Sequence, residues 1–165
     1  MQVLGDCEYL LTEHQETNVV IAIGSAGIRK KVAERLMRNP NISFPNLIDP
    51  SVICSDRIDL GRGNIVCAST CLTVNITMGD FNVINLDCTL GHDVVLGSFV
   101  TLYPSVNISG NVRIGDVTEI GTGTNVIQGI KIGGNSIIAA ASVVVRDIVG
   151  EGTYVGVPAI NLLRK

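Results

Sequence analysis

Residues 90–115 read LGHDVVLGSFVTLYPSVNISGNVRIG. Within them Leu90, Leu96, Leu102, Ile108 and Ile114 recur every six positions, and the same step extends outward in both directions. It runs back through Ile84, Met78, Leu72, Val66, Leu60 and Cys54 to Ile48, and forward through Ile120, Val126, Ile132 and Ile138 to Val144. All seventeen positions are aliphatic, Met or Cys in a chain that is 46% hydrophobic; chance gives such a run with a probability of roughly 10⁻⁶ for one phase. A second column, four residues on, passes from Val52 through Val94, Val100 and Val106 to Ser142 and holds small or medium side chains.

A step of six is neither the helical period nor simple strand alternation. It fits short strands joined by tight bends, each bend needing residues that tolerate φ > 0. Gly61, Gly79, Gly97, Gly115 and Gly133 recur at a step of 18, so three hexads close one coil and one corner carries glycine on five successive coils. The expected object is a triangular prism of parallel strands. With strands stacked roughly 4.8 Å apart, five to six coils make a rod on the order of 25–30 Å long. Composition agrees. Aromatics are 4% of the chain, with no Trp among 165 residues, and wide rings would not fit a stack of aliphatic knobs. A β-sandwich fits poorly, because its strands vary in spacing.

The rest of the composition narrows the function. Charged residues are 16% and the net charge is −3 with no basic run, which argues against a nucleic-acid footprint. No apolar stretch approaches membrane length and MQVLGDCEYL is not a signal pattern; a soluble cytoplasmic protein is expected, with no membrane partner. The five cysteines, Cys7, Cys54, Cys67, Cys71 and Cys88, show no zinc-type pairing and read as reduced fillers, Cys54 and Cys88 in inward columns.

Before the repeat, residues 18–24 (NVVIAIG) read as a buried strand. A helix over 28–38 follows, with Ile28, Val32 and Leu36 on one apolar stripe, ended by Asn39-Pro40. Gly24-x-x-Gly27 ahead of that helix is either a phosphate acceptor or a tight turn into a packing helix; it lacks a full GxGxxG. The division expected is a partial α/β unit (β-turn-α) over 1–45 and the prism with a C-terminal cap over 46–165. The tail after Asn161 caps the last coil, and Arg164 and Lys165 either meet ligand phosphates or end in solvent.

Chemistry concentrates at His92. Of the two histidines, His14 lies in the polar run TEHQET and reads as solvated. His92 sits at a corner beside Asp93. A neutral imidazole there can take a proton from an amine or hydroxyl attacking a carbonyl, and Asp93 can fix its tautomer. Neighbouring residues on a flat strand point to opposite faces, so direct contact requires the bend. Spacing alone fits a catalytic and a surface His92 equally.

The hexad pattern resembles the hexapeptide-repeat, left-handed β-helix family; the hand comes from that resemblance alone. Within it, IGSAGIRKKV (23–32), LIDPS (47–51), Asn85 followed by His92-Asp93, SGNVRIG (109–115) and YVGVPA (154–159) resemble the sugar acetyltransferases of the sialic acid O-acetyltransferase type, nearest to the UDP-4-amino-sugar N-acetyltransferases. The likeness spans roughly residues 19–160.

The resemblance implies acetyl-CoA as donor, no metal, a sugar or nucleotide-sugar acceptor acetylated on an amino or hydroxyl group in glycan biosynthesis, and a homotrimer with sites between neighbours. His92 falls on the general base and Asp93 on its acidic support, where close relatives carry Glu. Gly110 falls on a backbone amide meeting the thioester carbonyl. Thr101, Thr122 and Ala140 fall on the acetyl-CoA groove, Thr101 where a close relative has His. Asn85 falls near the acceptor. The relatives' GxGGHG nucleotide loop has no counterpart in a sequence that opens MQVLGD, so the front unit reads as shortened, with Gly5 and Gly24 as what remains of the acceptor pocket.

A zinc carbonic anhydrase on this scaffold needs three histidines, and the chain has two. A non-catalytic trimeric scaffold, and an acetyltransferase for a non-sugar acceptor, remain as alternatives.

Overall fold

The structure, a computed structural model, describes Val3 and residues 5–163; Arg164 and Lys165 lie outside the described residues. From Leu47–Ile48 to Val143–Val144, two- and three-residue strands follow one another at the hexad step and distribute six, five and six over three sheets, the last extended to eight by the C-terminal strands Gly152–Val155 and Ile160–Asn161. Leu90 pairs with Ile108, Leu96 with Ile114 and Leu102 with Ile120, all parallel. Each strand therefore lies on the one a full coil earlier, as the glycine step requires. The solenoid is a left-handed β-helix of about 6 turns. One face carries Thr89, Asn107 and Asn125 outward (the asparagine face), a second Val95, Arg113 and Lys131 (the basic face), and a third Val83, Thr101 and Glu119 (the docking face).

Both apolar columns point inward. Leu90, Val94, Val100, Leu102, Val106, Val112 and Ile120 have no exposed surface and belong to one continuous core. Burying each such side chain contributes about 1.5–3 kcal/mol. Cys88 lies in that core, whereas Cys54 points inward on the lowest coil and is exposed. No described residue covers it from below, and Ile48 on the same coil is 41% exposed.

The glycine corner has a different cause from the one expected. Positive φ falls two residues later, on Gly63, Phe81, Phe99 and Val117, at 56–60° for the last three. Ladder bonds such as Phe99 N–H to the Asp80 carbonyl (2.8 Å) and Val117 N–H to that of Ser98 (2.9 Å) hold these bends. The glycines themselves answer a shortage of space. A Cβ on Gly79 would stand 2.8 Å from the Gly97 carbonyl oxygen of the next coil.

The N-terminal segment comprises α1 (Cys7–Leu11), β1 (Thr17–Asn18), α2 (Ala26–Leu36) and β2 (Ile42–Ser43), with β1 and β2 parallel. Helix α1 escaped the sequence reading; the Asp6 side chain caps it by accepting the Glu8 N–H at 2.9 Å. The strand expected over 18–24 stops at Asn18. Among the described residues β2 alone pairs with it, and beyond the Val19–Ser43 bond of 2.9 Å the carbonyls of Ile23 and Gly24 bond to Arg29 instead. Helix α2 also differs from expectation. Ile28 is 56% exposed, and the inward face is Ala26, Arg29, Ala33 and Leu36. Small residues bring the helix close to the docking face, and Arg29 bonds into it. All three phenylalanines lie outside the prism at this seam. The rings of Phe81 and Phe99 stack at 5.3 Å, and Phe44 meets Phe81 edge-on at 5.0 Å.

At the far end, Gly152–Val155 extends the docking face and Ile160–Asn161 returns antiparallel to it. The Ala159 N–H donates to the Val143 carbonyl at 2.8 Å, which ties the segment between these two strands to the last coil. Among the described residues no helix is long and apolar enough to cross a membrane.

Candidate active site at the histidine corner

The strand Thr89–Leu90 ends at Gly91, and the chain bends through His92 and Asp93, the latter at φ 59°. This left-handed residue swings both side chains to one side of the bend. His92 Nδ1 and Asp93 Oδ2 lie 2.8 Å apart, each side chain 52% exposed. An ionised carboxylate only accepts, so Nδ1 carries the proton and Nε2 presents its lone pair. The Asn75 Nδ2 group, one coil below, donates to the other Asp93 oxygen at 3.1 Å. The His92 hydrogen bond first, and the Asn75 bond second, hold the Asp93 carboxyl below its usual range. A carboxyl lowered in the folded state keeps its partners above the usual carboxylate pKa and loses them as pH falls through the lowered value.

Gly110 lies directly above. A Cβ there would clash with the His92 ring, 2.6 Å from Cε1 and 2.8 Å from Cδ2. The residue must be glycine for the imidazole to lie over the next coil. The Gly110 N–H meets no backbone acceptor among the described residues. Gly110→Ala is expected to displace the ring and lower kcat by about 10²-fold, the scale of a 1 Å misplacement, with the prism still folded; wild-type turnover in that variant would contradict the geometry.

The other expected residues divide. Thr122 and Ala140 are exposed on successive coils of a single corner, but it is the corner between the docking and asparagine faces, one edge from His92. Asn85 is half-buried two coils below Thr122, with its Oδ1 accepting the Leu86 N–H at 2.9 Å. Thr101 does not line an open groove. It has no exposed surface, and its hydroxyl donates to the Gly24 carbonyl at 2.7 Å and accepts from Arg29 at 2.9 Å. Nor does Gly24 open a phosphate site. The start of α2 is closed by Glu119, whose carboxylate accepts from the Ala26 N–H at 2.8 Å and the Ser25 hydroxyl at 3.3 Å. A phosphate would face that carboxylate. Gly5 is exposed beside Tyr9, away from the corner.

Sequence reading missed a buried network. Arg29 is 1% exposed, and its guanidinium donates to the carbonyls of Phe81 (2.8 Å), Ile23 (2.6 Å), Gly24 (2.9 Å) and Val100 (3.1 Å) besides Thr101. Burial lowers its pKa to about 10, opposed by Glu119, so it stays charged at neutral pH. The Tyr103 hydroxyl donates to the second Glu119 oxygen at 3.0 Å, and burial, then Glu119, pushes its pKa up. An arginine inside IRKK reads as a solvated charge, and no local signal marks it. Burial pushes the Cys88 thiol up to about 11 and raises that of Cys67. Among the described residues no group of three His, Cys, Asp or Glu could hold a metal ion.

No protein-family model matches the chain, and neither does any curated protein. Solved structures do. The acetyltransferase domain of PglB from Neisseria gonorrhoeae is 30% identical over 97% of this chain and 78% of its own, with a TM-score of 0.93, and it has also been solved with acetyl coenzyme A. The perosamine N-acetyltransferase of Caulobacter crescentus, solved with CoA and GDP-perosamine, is 32% identical over 88% of this chain and 69% of its own, with a TM-score of 0.85. WeeI from Acinetobacter baumannii is 29% identical over 94% and 75%, with a TM-score of 0.88. Identity of 30% or more together with a TM-score of 0.85 or above along most of the chain goes beyond a shared solenoid, and the chain belongs to the hexapeptide-repeat sugar acetyltransferases.

Proposed function

We propose that the protein moves the acetyl group of acetyl-CoA directly onto an amino or hydroxyl group of a nucleotide-linked sugar, with His92 as general base. The observation that carries this reading is the His92–Asp93 pair at 2.8 Å, its free Nε2 lying over Gly110. As the acceptor attacks the thioester carbonyl, Nε2 takes its proton and Asp93 stabilises the resulting imidazolium. The oxyanion is met by the Gly110 N–H, a donor of a kind worth about 2.7–4 kcal/mol. The carbonyl re-forms, and the CoA thiolate leaves and takes up a proton. An acyl-enzyme is not required, since the thiol of Cys88 is held protonated by burial.

The acceptor class follows the GDP-perosamine bound by the Caulobacter relative, and a role in glycan-precursor synthesis in the cytoplasm is part of this reading. Residues 1–45 then act as the unit that the docking face carries, and residues 46–165 as the transferase unit. A homotrimer is supported by the separation of Thr122 and Ala140 from His92. A donor touching both corners spans two protomers. Light scattering should return three times the 17.5 kDa chain mass, and a monomer with full activity would contradict shared sites. The functional test is CoA release from acetyl-CoA with UDP-, GDP- and dTDP-linked amino sugars, followed by mass spectrometry of the sugar. One acceptor should gain an acetyl group. Acetyl-CoA binding with no transfer to any sugar would favour another acceptor, and absence of binding a scaffold.

A further inference from the structure

We infer that Asn75 is a positioning residue for acetyl transfer, acting on His92 through Asp93; this rests on His92 being the base. Asp93 is exposed at the tip of a bend, and a solvated carboxylate left alone rotates freely and offers either oxygen. Here the two oxygens have separate tasks. Oδ1 accepts from the Asn75 amide at 3.1 Å and Oδ2 from His92 Nδ1 at 2.8 Å. The amide must donate, because its partner can only accept. Asn75 is itself set by its backbone: it takes φ 55°, a left-handed conformation that Asn, Asp and Gly tolerate best, at the same point of the coil as Asp93. The Asp93 N–H donates to the Val74 carbonyl at 3.0 Å, so the two bends are tied together by backbone and side chain alike.

Asn75 also lines a recess of about 370 Å³ beneath the corner, together with Asp56, Arg57, Asp59 and Thr77. Asp56, Arg57 and Asp59 are the charged residues of that recess, and Arg113 stands on the basic face. They stay constant in the variants below, so a change in pH behaviour reports on Asn75.

The test compares Asn75→Gly and Asn75→Asp with wild type and His92→Ala, in the full chain and under saturating acceptor. Both substitutions suit the left-handed backbone. Asn75→Gly should lower kcat by about 3–30-fold, part of the range of general-base catalysis, with KM for acetyl-CoA and melting temperature unchanged. Asn75→Asp sets a second negative charge beside the pair. It should move the acid limb of kcat/KM to higher pH by about half a unit or more, a shift that a purely structural role would not produce. Wild-type kcat in Asn75→Gly, or a superimposable pH profile in Asn75→Asp, with His92→Ala inactive, overturns the role of Asn75 and leaves the base intact. Wild-type turnover in His92→Ala removes both.

Discussion

His92→Ala should lower kcat by about 10²–10⁴-fold, the contribution of a positioned general base, while leaving acetyl-CoA affinity nearly unchanged. The side chain is half exposed and packs into no core, so its removal opens no cavity and the prism should melt as before. Affinity should persist because the ring holds the proton path, whereas the bulk of a CoA molecule would lie along the corner and its neighbour. His92→Asn is the sharper variant: it keeps a donor toward Asp93 but supplies no basic nitrogen, and it should be as slow as alanine. A loss confined to KM, with kcat intact, would assign His92 to binding instead. Turnover equal to wild type in either variant would remove it from the reaction.

The second large effect concerns stability. Arg29→Met should cost about 3–5 kcal/mol, the scale seen when one side of a buried charged network is removed. All five guanidinium donors are used, on four carbonyls and the Thr101 hydroxyl. Methionine fills similar volume but leaves the Ile23 and Phe81 carbonyls without a donor, while Gly24 keeps the Thr101 hydroxyl and Val100 the Val83 N–H; each buried orphan costs about 1–3 kcal/mol. Glu119 would also lose the nearby cation. Arg29→Lys should recover only part of the loss, because one ammonium cannot reach acceptors spread over both sides of the seam. Urea unfolding followed by circular dichroism measures this. A shift within about 0.5 kcal/mol, the usual range for surface changes, would mean that the guanidinium is not holding the N-terminal segment to the docking face.

These two residues mark what the sequence made legible. The prism is readable because each hexad repeats its instruction locally: one large aliphatic residue inward, a small or medium one inward four positions on, the same phase without interruption from Ile48 to Val144. The His92–Asp93 pair was readable because the phase placed it at a bend, where adjacent side chains can meet. Gly110 came from the family resemblance, and the structure sets it against the His92 ring. The seam was not readable. Arg29 draws its partners from Ile23, Gly24, Phe81, Val100 and Thr101, which meet only after the coils have stacked and α2 has docked. The same long-range contact explains two misplaced expectations. Thr101 and Gly24 were assigned to ligands, yet they bond to each other and to Arg29, and Glu119 fills the helix start that a phosphate would need. The glycine corner was found by counting, but its reason, backbone touching backbone between coils, required coordinates.

The most direct test is a crystal structure with acetyl-CoA and an amino-sugar nucleotide bound to His92→Asn, which should bind both without turning over. The account predicts the thioester carbonyl oxygen about 3 Å from the Gly110 N–H, with the acceptor nitrogen or oxygen within reach of residue 92 and the CoA chain passing between two protomers toward Thr122 and Ala140. Well-defined CoA density elsewhere on the chain, with the histidine corner open to solvent, would contradict it.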